Sequence, residues 1–194
     1  MTELAGRKAI SHQRIVDVAS HAVRRLGYGG VNVTEVMRAA RLTHGGFYAH
    51  FESRDALLAE AVAQAGVDID HVLREQSARL VAAGASPFRA LVEIYLSMAH
   101  ARDCDNGCPV SLLSGEMFRQ VPDVAEPSRR LIAGLHARVK KALPAGAAAD
   151  AAWPVTSALL GAVQLARALV DSDAKAAKAV LADTRKDLLA RYDT

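Results

Sequence analysis

Cysteine, tryptophan and long apolar runs are all scarce in this chain. Its 194 residues include two Cys and one Trp, and aromatic residues make up only 5%. Two cysteines do not build a disulfide framework, so a hydrophobic core must hold the fold, and the thiols fit a reducing compartment. No uninterrupted apolar run reaches the ~18 residues that a membrane-spanning helix needs. The N-terminal segment lacks an apolar stretch placed between a basic start and a small-residue cleavage site. A cytoplasmic location without membrane contact is therefore expected. Strand-like alternation, an internal repeat, H-E-x-x-H, G-x-S-x-G and a Walker loop are also missing, which leaves the common hydrolase and nucleotide-binding chemistries without a signal. Gly27, Gly29 and Gly30 follow no strand and precede no Lys-Ser or Lys-Thr, so they form a connector rather than a phosphate cradle.

Apolar and charged residues are present in ordinary proportion, 51% and 23%. That balance suits one compact unit or two small ones. The net charge of +3 is unevenly placed. Residues 1–54 hold eight Lys or Arg against four Asp or Glu, whereas the remainder holds sixteen against seventeen. A basic N-terminal module on a near-neutral body fits a partner rich in phosphate.

Within that module lies NVTEVMRAARLTHGGFYAHF, residues 32 to 51. Val33, Val36, Met37 and Ala40 keep the spacing of one helix face, with Asn32 as N-cap and Glu35 completing a capping box. Arg41 and Leu42 break the pattern, and Thr43 offers a second N-cap before His44. Two short helices joined by a tight turn read as a helix-turn-helix, although such pairs also occur as plain core elements. In the DNA-binding arrangement the second helix enters the major groove, and Thr43, His44, Gly45 and Gly46 approach bases and phosphates. Phe47 and Phe51 then anchor that helix to its neighbours.

The whole chain reads as all-α. Residues 1 to 10 show little periodicity and are expected to form a mobile arm. Ser11 is expected to cap a helix carrying Ile15, Ala19, Ala22, Val23 and Leu26 to a stop at Gly27. Ser53 caps a long helix with Leu58, Val62, Ala65, Ile69, Val72 and Leu80 on one side. Ser86-Pro87 starts a helix that carries Phe88, Leu91, Tyr95 and Ala99, with Pro at the first position. A break over residues 102 to 109 follows, then a short helix through Leu112, Leu113 and Met117. A helix from Glu126 runs to a breaker at Pro144. The last two helices, over residues 153 to 171 and 173 to 192, present wide faces of small apolar residues. They suit either a monomer core or a four-helix interface with a second copy.

The order of a capped helix, NVTEVMRAA, a turn, LTHGGFYAHF and then ESRDALLAEA resembles the DNA-binding module of the TetR/AcrR family of one-component regulators, over residues 11 to 62. Family members usually carry Gly where this chain has Arg41, and commonly Lys where it has Arg54. GCPVSLL and LLGAVQLARALVDS are similar to segments of one subgroup. The resemblance implies a three-helix DNA-binding domain over residues 1 to 52 and a helical ligand-binding and dimerisation domain over residues 53 to 194. It implies a ligand-responsive repressor that binds a palindromic operator in double-stranded DNA as a homodimer and is released by a small-molecule inducer. Asn32, Thr34, Thr43, His44, Gly45, Gly46, Tyr48, His50 and Arg54 are the DNA-binding residues it points to. Of these, Thr34 and His44 would read sequence, while Tyr48, His50 and Arg54 would hold phosphates.

Tyr95, Met98, Cys108, Met117, Phe118, Gln164 and Arg167 are the expected ligand-binding residues, apolar walls with few polar groups for a small hydrophobic or aromatic inducer. Cys108 starts a helix, where the dipole favours thiolate, while Asp103 and Asp105 oppose it. It reads either as a thiol sensor, with Arg167 as a cation, or as a small packing residue. His100, Cys104 and Cys108 lack the second ligand pair of a structural zinc site, and no metal or cofactor is expected. The competing function is an all-helical thiol oxidoreductase using Cys104 and Cys108. Their spacing, Cys-x-x-x-Cys, is one residue longer than the usual redox motif.

Overall fold

The computed structural model describes residues 2–193, with side chains from residue 6 onward. Helix α1 spans Thr2–Gly30, interrupted at Gly27, whose φ of 72° and ψ of 175° are not helical. The expected mobile arm is thus replaced by helix, apart from Met1, which lies outside the described residues. Ser11 lies inside α1 and caps nothing. The reason is local: helix-forming Glu, Leu, Ala, Arg and Lys precede it with only Gly6 to oppose them.

Helix α2, Val33–Ala39, begins at Asn32, whose side chain accepts from the Thr34 and Glu35 N–H groups. At its other end Leu42 N bonds Met37 O at 2.9 Å and Arg41 N bonds Arg38 O at 3.0 Å. This paired closure is a Schellman turn, which needs a left-handed residue after the cap. Arg41 supplies it with φ 59°, a conformation that glycine adopts freely. The turn geometry is therefore kept at the cost of strain in a side-chain-bearing residue. Arg41→Gly should raise the melting temperature by about 2–4 °C, because relief of left-handed strain of about 1–2 kcal/mol outweighs the added chain entropy. An unchanged or lower melting temperature would contradict that strain.

The second element of the motif is not an α-helix but a 3₁₀ turn, η1, over His44–Ala49. Thr43 occupies the N-cap position without a side-chain cap bond, and the Gly45-Gly46 pair weakens α-helical winding. Helix α3 covers Arg54–Ala82 from the Ser53 cap. Helix α4, Pro87–Tyr95, starts at the Ser86 cap. The single helix expected through Ala99 is split, because Ser97 caps a separate α5, Met98–Arg102, by accepting from His100 N. Then come α6, Pro109–Met117, and α7, Pro122–Ala142. Pro122 at the first position moves the start of α7 ahead of the expected Glu126. Helices α8, Ala152–Leu169, and α9, Ala174–Tyr192, complete the chain.

Two buried cores result. The N-terminal one joins Ile15, Ala19 and Val23 of α1 to Met37, Phe47, Phe51, Leu57, Leu58 and Val62, with Leu113, Met117 and Val124 closing it from α6 and α7. The other gathers Phe88, Leu91, Tyr95, Val110, Leu135, Val139, Leu159, Val163 and Leu181. Leu131 and Ile132 of α7 pack against both. α3 and α7 thereby tie the helix-turn-helix to the body. Polar ties reinforce the α1–α3 contact: His12 meets Glu60 at 2.6 Å, and buried Arg24 meets Asp68 at 2.9 Å.

Candidate functional site

Two regions carry chemistry, an exposed face on the helix-turn-helix and a cleft in the body. On the first, the Thr34 hydroxyl lies 3.2 Å from Nδ1 of His44. The side chain early in α2 therefore fixes the imidazole that opens η1, and the outer ring nitrogen is left to meet a partner. Tyr48 is 75% exposed and packs edge-on against buried Phe47. Its hydroxyl stands clear while its ring is held. A Cβ on Gly45 would meet nothing within 4 Å, so that stretch of backbone lies open to close approach. Arg38 and Arg41 are exposed beside it, cations that the motif had not singled out as contacts.

His50 and Arg54 sit differently. His50 is half-buried among His12 and Phe51, and burial, then His12 and Lys8, depress its pKa. It is therefore a neutral group beside the motif, and its Nδ1 makes no hydrogen bond among the described residues. Arg54 turns inward. Its Nε donates to Val31 O at 3.0 Å and an Nη to Tyr28 O, so it holds the connector after α1 instead of presenting its whole fork to phosphate. Asn32 is spent on the α2 cap.

Tyr28 is the joint between the two regions. Its N–H donates to Glu116 of α6 at 3.2 Å, its carbonyl accepts from Arg54 of α3, and its hydroxyl lies 2.7 Å from Ser128 Oγ of α7. Burial pushes the Tyr28 phenol up, so it stays protonated. The same three helices enclose a cleft of about 390 Å³, with α6 contributing its start, at the end opposite Glu116.

Of the residues expected to bind a ligand, only Cys108 lines that cleft. Tyr95 is fully buried beside Cys108 and Ser111, and its hydroxyl closes no hydrogen bond of ordinary geometry among the described residues. Met98 packs on the body core, Met117 belongs to the N-terminal core, and Phe118 is 75% exposed with Arg119 over its ring. Gln164 is exposed and donates to Ser114 Oγ at 2.8 Å. Arg167 does fold inward, but its fork is spent on the carbonyls of His100, Ala101 and Ser111, which ties α5 and α6 to α8. The walls of this cleft come mainly from α3 and α7, which are distant in sequence, so the other expected residues lie outside it.

The Cys108 thiol is driven up by burial, an effect larger than the stabilisation from Tyr95, the helix backbone and Arg167. It is held as a thiol, not a thiolate. Its backbone N–H donates to Nε2 of His100 at 3.1 Å, so that imidazole caps the loop rather than offering itself as a ligand. Burial keeps His100 neutral as well. A redox pair of Cys104 and Cys108 gains no support from this setting.

Sequence patterning missed the rim of the cleft, Arg74, Arg130 and Arg138, together with Asp70. One trace was available. Gly66 and Gly134 sit inside helices, where glycine is destabilising and marks a close approach or a space. Both line the cleft.

Residues 15–61 match the family model described as bacterial regulatory proteins, tetR family. No curated protein matches the sequence. Among solved structures, the chain is similar to E. coli NemR in its reduced form, with a TM-score of 0.72 at 15% identity over 94% of this chain and 96% of that one. A TetR transcriptional regulator from Chloroflexus aurantiacus gives 0.71 at 20% identity over 95% and 94%. A TetR-family regulator from Agrobacterium tumefaciens gives 0.70 at 18% over 93% and 98%. At such identities the likeness is one of fold. No helix among the described residues is long and apolar enough to cross a membrane.

Proposed function

We propose that this chain, which belongs to the TetR family of bacterial regulatory proteins by its N-terminal module and its fold, is a cytoplasmic repressor that binds a palindromic operator as a homodimer and leaves it when a small molecule enters the body. The observation that carries the DNA-binding half is His44, held by Thr34 at the exposed start of η1. An imidazole with one nitrogen fixed and the other free is oriented for one base edge or phosphate, and Tyr48 beside it suits the backbone. We assign DNA contact to Thr34, Thr43, His44, Gly45, Gly46 and Tyr48, with Arg38 and Arg41 adding charge at the edge. Arg54 acts one step back, by setting the connector that positions the motif.

The dimer is supported by exposed apolar side chains on α8: Leu165 is 58% exposed, and Trp153, whose ring stacks on His136 of α7, is 53% exposed. Two copies joined there would present two motifs to successive major grooves, about 34–36 Å apart. Ligand response is supported by the cleft and by Tyr28. The elements that enclose the cleft are those that hold this residue, so a ligand that reshapes the cleft changes the grip on the connector. The coupling is a population shift: the ligand favours dimers whose motifs no longer match the grooves, and operator DNA disfavours ligand by the same factor.

Selection of binding sites from a random duplex pool tests the DNA half. Palindromic sites with half-sites one helical turn apart are expected, and a pool that yields no preferred sequence would overturn the assignment. His44→Ala and Thr34→Val should each relax preference at the same base step, by about 1–3 kcal/mol of discrimination. Their combination should cost little more than either alone, since Thr34 acts through His44. Additive losses, equal on every operator variant, would count against base reading by this pair.

A further inference from the structure

We propose that the cleft between α3 and α7 takes an amphipathic monocarboxylate, a molecule with an alkyl or aryl body buried in the cleft and its carboxylate held at the rim by Arg138 with Arg74 or Arg130. The inference rests on the ligand-responsive reading and names the chemical class that this site accepts.

The interior is apolar, walled by Val67, Ile69, Leu73, Val110, Leu131 and Leu135. Its volume of about 390 Å³ falls within the usual range for small-molecule sites. Space is made by a missing side chain: a Cβ on Gly134 of α7 would meet nothing within 4 Å. The rim is charged, and unevenly. Arg74, Arg130 and Arg138 line the cleft with Asp70 as its one carboxylate. Asp70 is paired with both Arg74 and Arg138, one from its own helix and one from across the cleft, while Arg130 is paired with Glu126 at 3.2 Å. Arg74 and Arg138 thus share the single carboxylate of Asp70, leaving one positive charge in excess there, while Arg130 shares Glu126 with Arg129.

A ligand with a single negative charge closes that balance. A cation would enlarge the imbalance, and a neutral molecule would leave it. Arg138 is the best placed of the three, with 24% of its side chain exposed against 70% for Arg74 and 74% for Arg130. Withdrawal from water depresses its pKa, so an added anion there would interact through less solvent. The guanidinium fork matches a carboxylate with two parallel hydrogen bonds, and the fork now spent on Asp70 is the one a ligand would share. Asp70 is therefore an internal occupant of the carboxylate position and a competitor for it.

Isothermal calorimetry on the full chain, without DNA, tests this with octanoate, decanoate and 4-phenylbutyrate against decan-1-ol and decylamine. The carboxylates are expected to bind, and decylamine is not. Arg138→Gln should weaken decanoate by about tenfold or more, the worth of one charge-assisted pair, and change decan-1-ol little. Asp70→Asn should tighten decanoate, an outcome that a merely structural bridge would not give. Gly134→Leu fills the cleft while replacing a helix-interior glycine, so it should abolish binding in a protein that stays folded by circular dichroism. The proposal is overturned if no carboxylate binds, if decan-1-ol or decylamine binds as well as decanoate, if Arg138→Gln leaves carboxylate affinity unchanged, or if binding survives Gly134→Leu. Operator binding is read separately by gel shift. Operator binding without carboxylate binding defeats the ligand class alone, whereas carboxylate binding that leaves operator affinity unchanged defeats the regulatory coupling alone.

Discussion

Asp68→Ala should lower the unfolding free energy by about 3 kcal/mol, the scale for breaking a buried ion pair from one side. The Arg24 side chain is fully buried, while that of Asp68 is 31% exposed. Arg24 Nη2 reaches Asp68 at 2.9 Å and Ser20 Oγ at 3.2 Å, and its Nε donates to Ser20 O at 3.1 Å. Nη1 is already without a partner among the described residues. Removing the carboxylate leaves a guanidinium in the α1–α3 contact with only Ser20 and the edge of His21 to answer it. The charge cannot be shed, because an arginine stays protonated. Partial exposure of Asp68 admits some water, which keeps the expected loss at the lower end of the range.

The same physics predicts a rescue. Arg24→Met combined with Asp68→Leu removes both charges and keeps apolar volume, so the double variant should lie within about 1 kcal/mol of the parent. Urea unfolding of the three proteins decides the matter. A near-neutral Asp68→Ala, or a double variant less stable than the single one, would mean that the pair is well solvated. Either result would also weaken the view that α1 is locked to α3 from this point.

How much of this was visible in the sequence varies with the range of the interaction. The caps at Asn32, Ser53 and Ser86 were legible, because each is a contact between residues at most three apart. So were the all-helical class, the helix-turn-helix and the break at Gly27. Ser11 misled because a cap residue also fits within a helix when helix formers precede it. The 3₁₀ winding of η1 follows from a glycine pair whose effect on helix type has no periodic signature.

Sites fared less evenly. Thr34 and His44 were both expected at the DNA, and their mutual contact was not, since it spans the turn whose geometry Arg41 left open. Arg54 was expected to face phosphate by its place at the start of α3. Two backbone carbonyls of the connector claim it first, and a local pattern cannot reveal that competition. The cleft was least legible. Its walls depend on α3 lying against α7, and its volume on Gly134, a residue that contributes no side chain.

Gly27→Ala should be at least as damaging as Asp68→Ala and should reach function as well. At φ 72° and ψ 175° the backbone occupies a region that is essentially glycine-only, where a side chain costs about 1–3 kcal/mol. The added Cβ would also stand 2.5 Å from Glu116 Oε1 and 3.0 Å from Oε2. Glu116 must then move, and with it goes the acceptor for Tyr28 N, a residue only 2% exposed. An unanswered buried N–H costs about 1–3 kcal/mol, so the total loss should be about 3–4 kcal/mol. Glu116→Ala alone removes the tie but not the break, and should cost about 1–2 kcal/mol by the lost hydrogen bond. The double variant should be less than additive, because the collision disappears with the carboxylate. Denaturant midpoints measure these terms. Gel shifts with and without ligand measure the rest: in Glu116→Ala the cleft is intact but α6 no longer holds the connector, so the ratio of operator affinities in free and liganded protein should fall toward one. If that ratio is unchanged, the signal from the cleft does not pass through Glu116 and Tyr28.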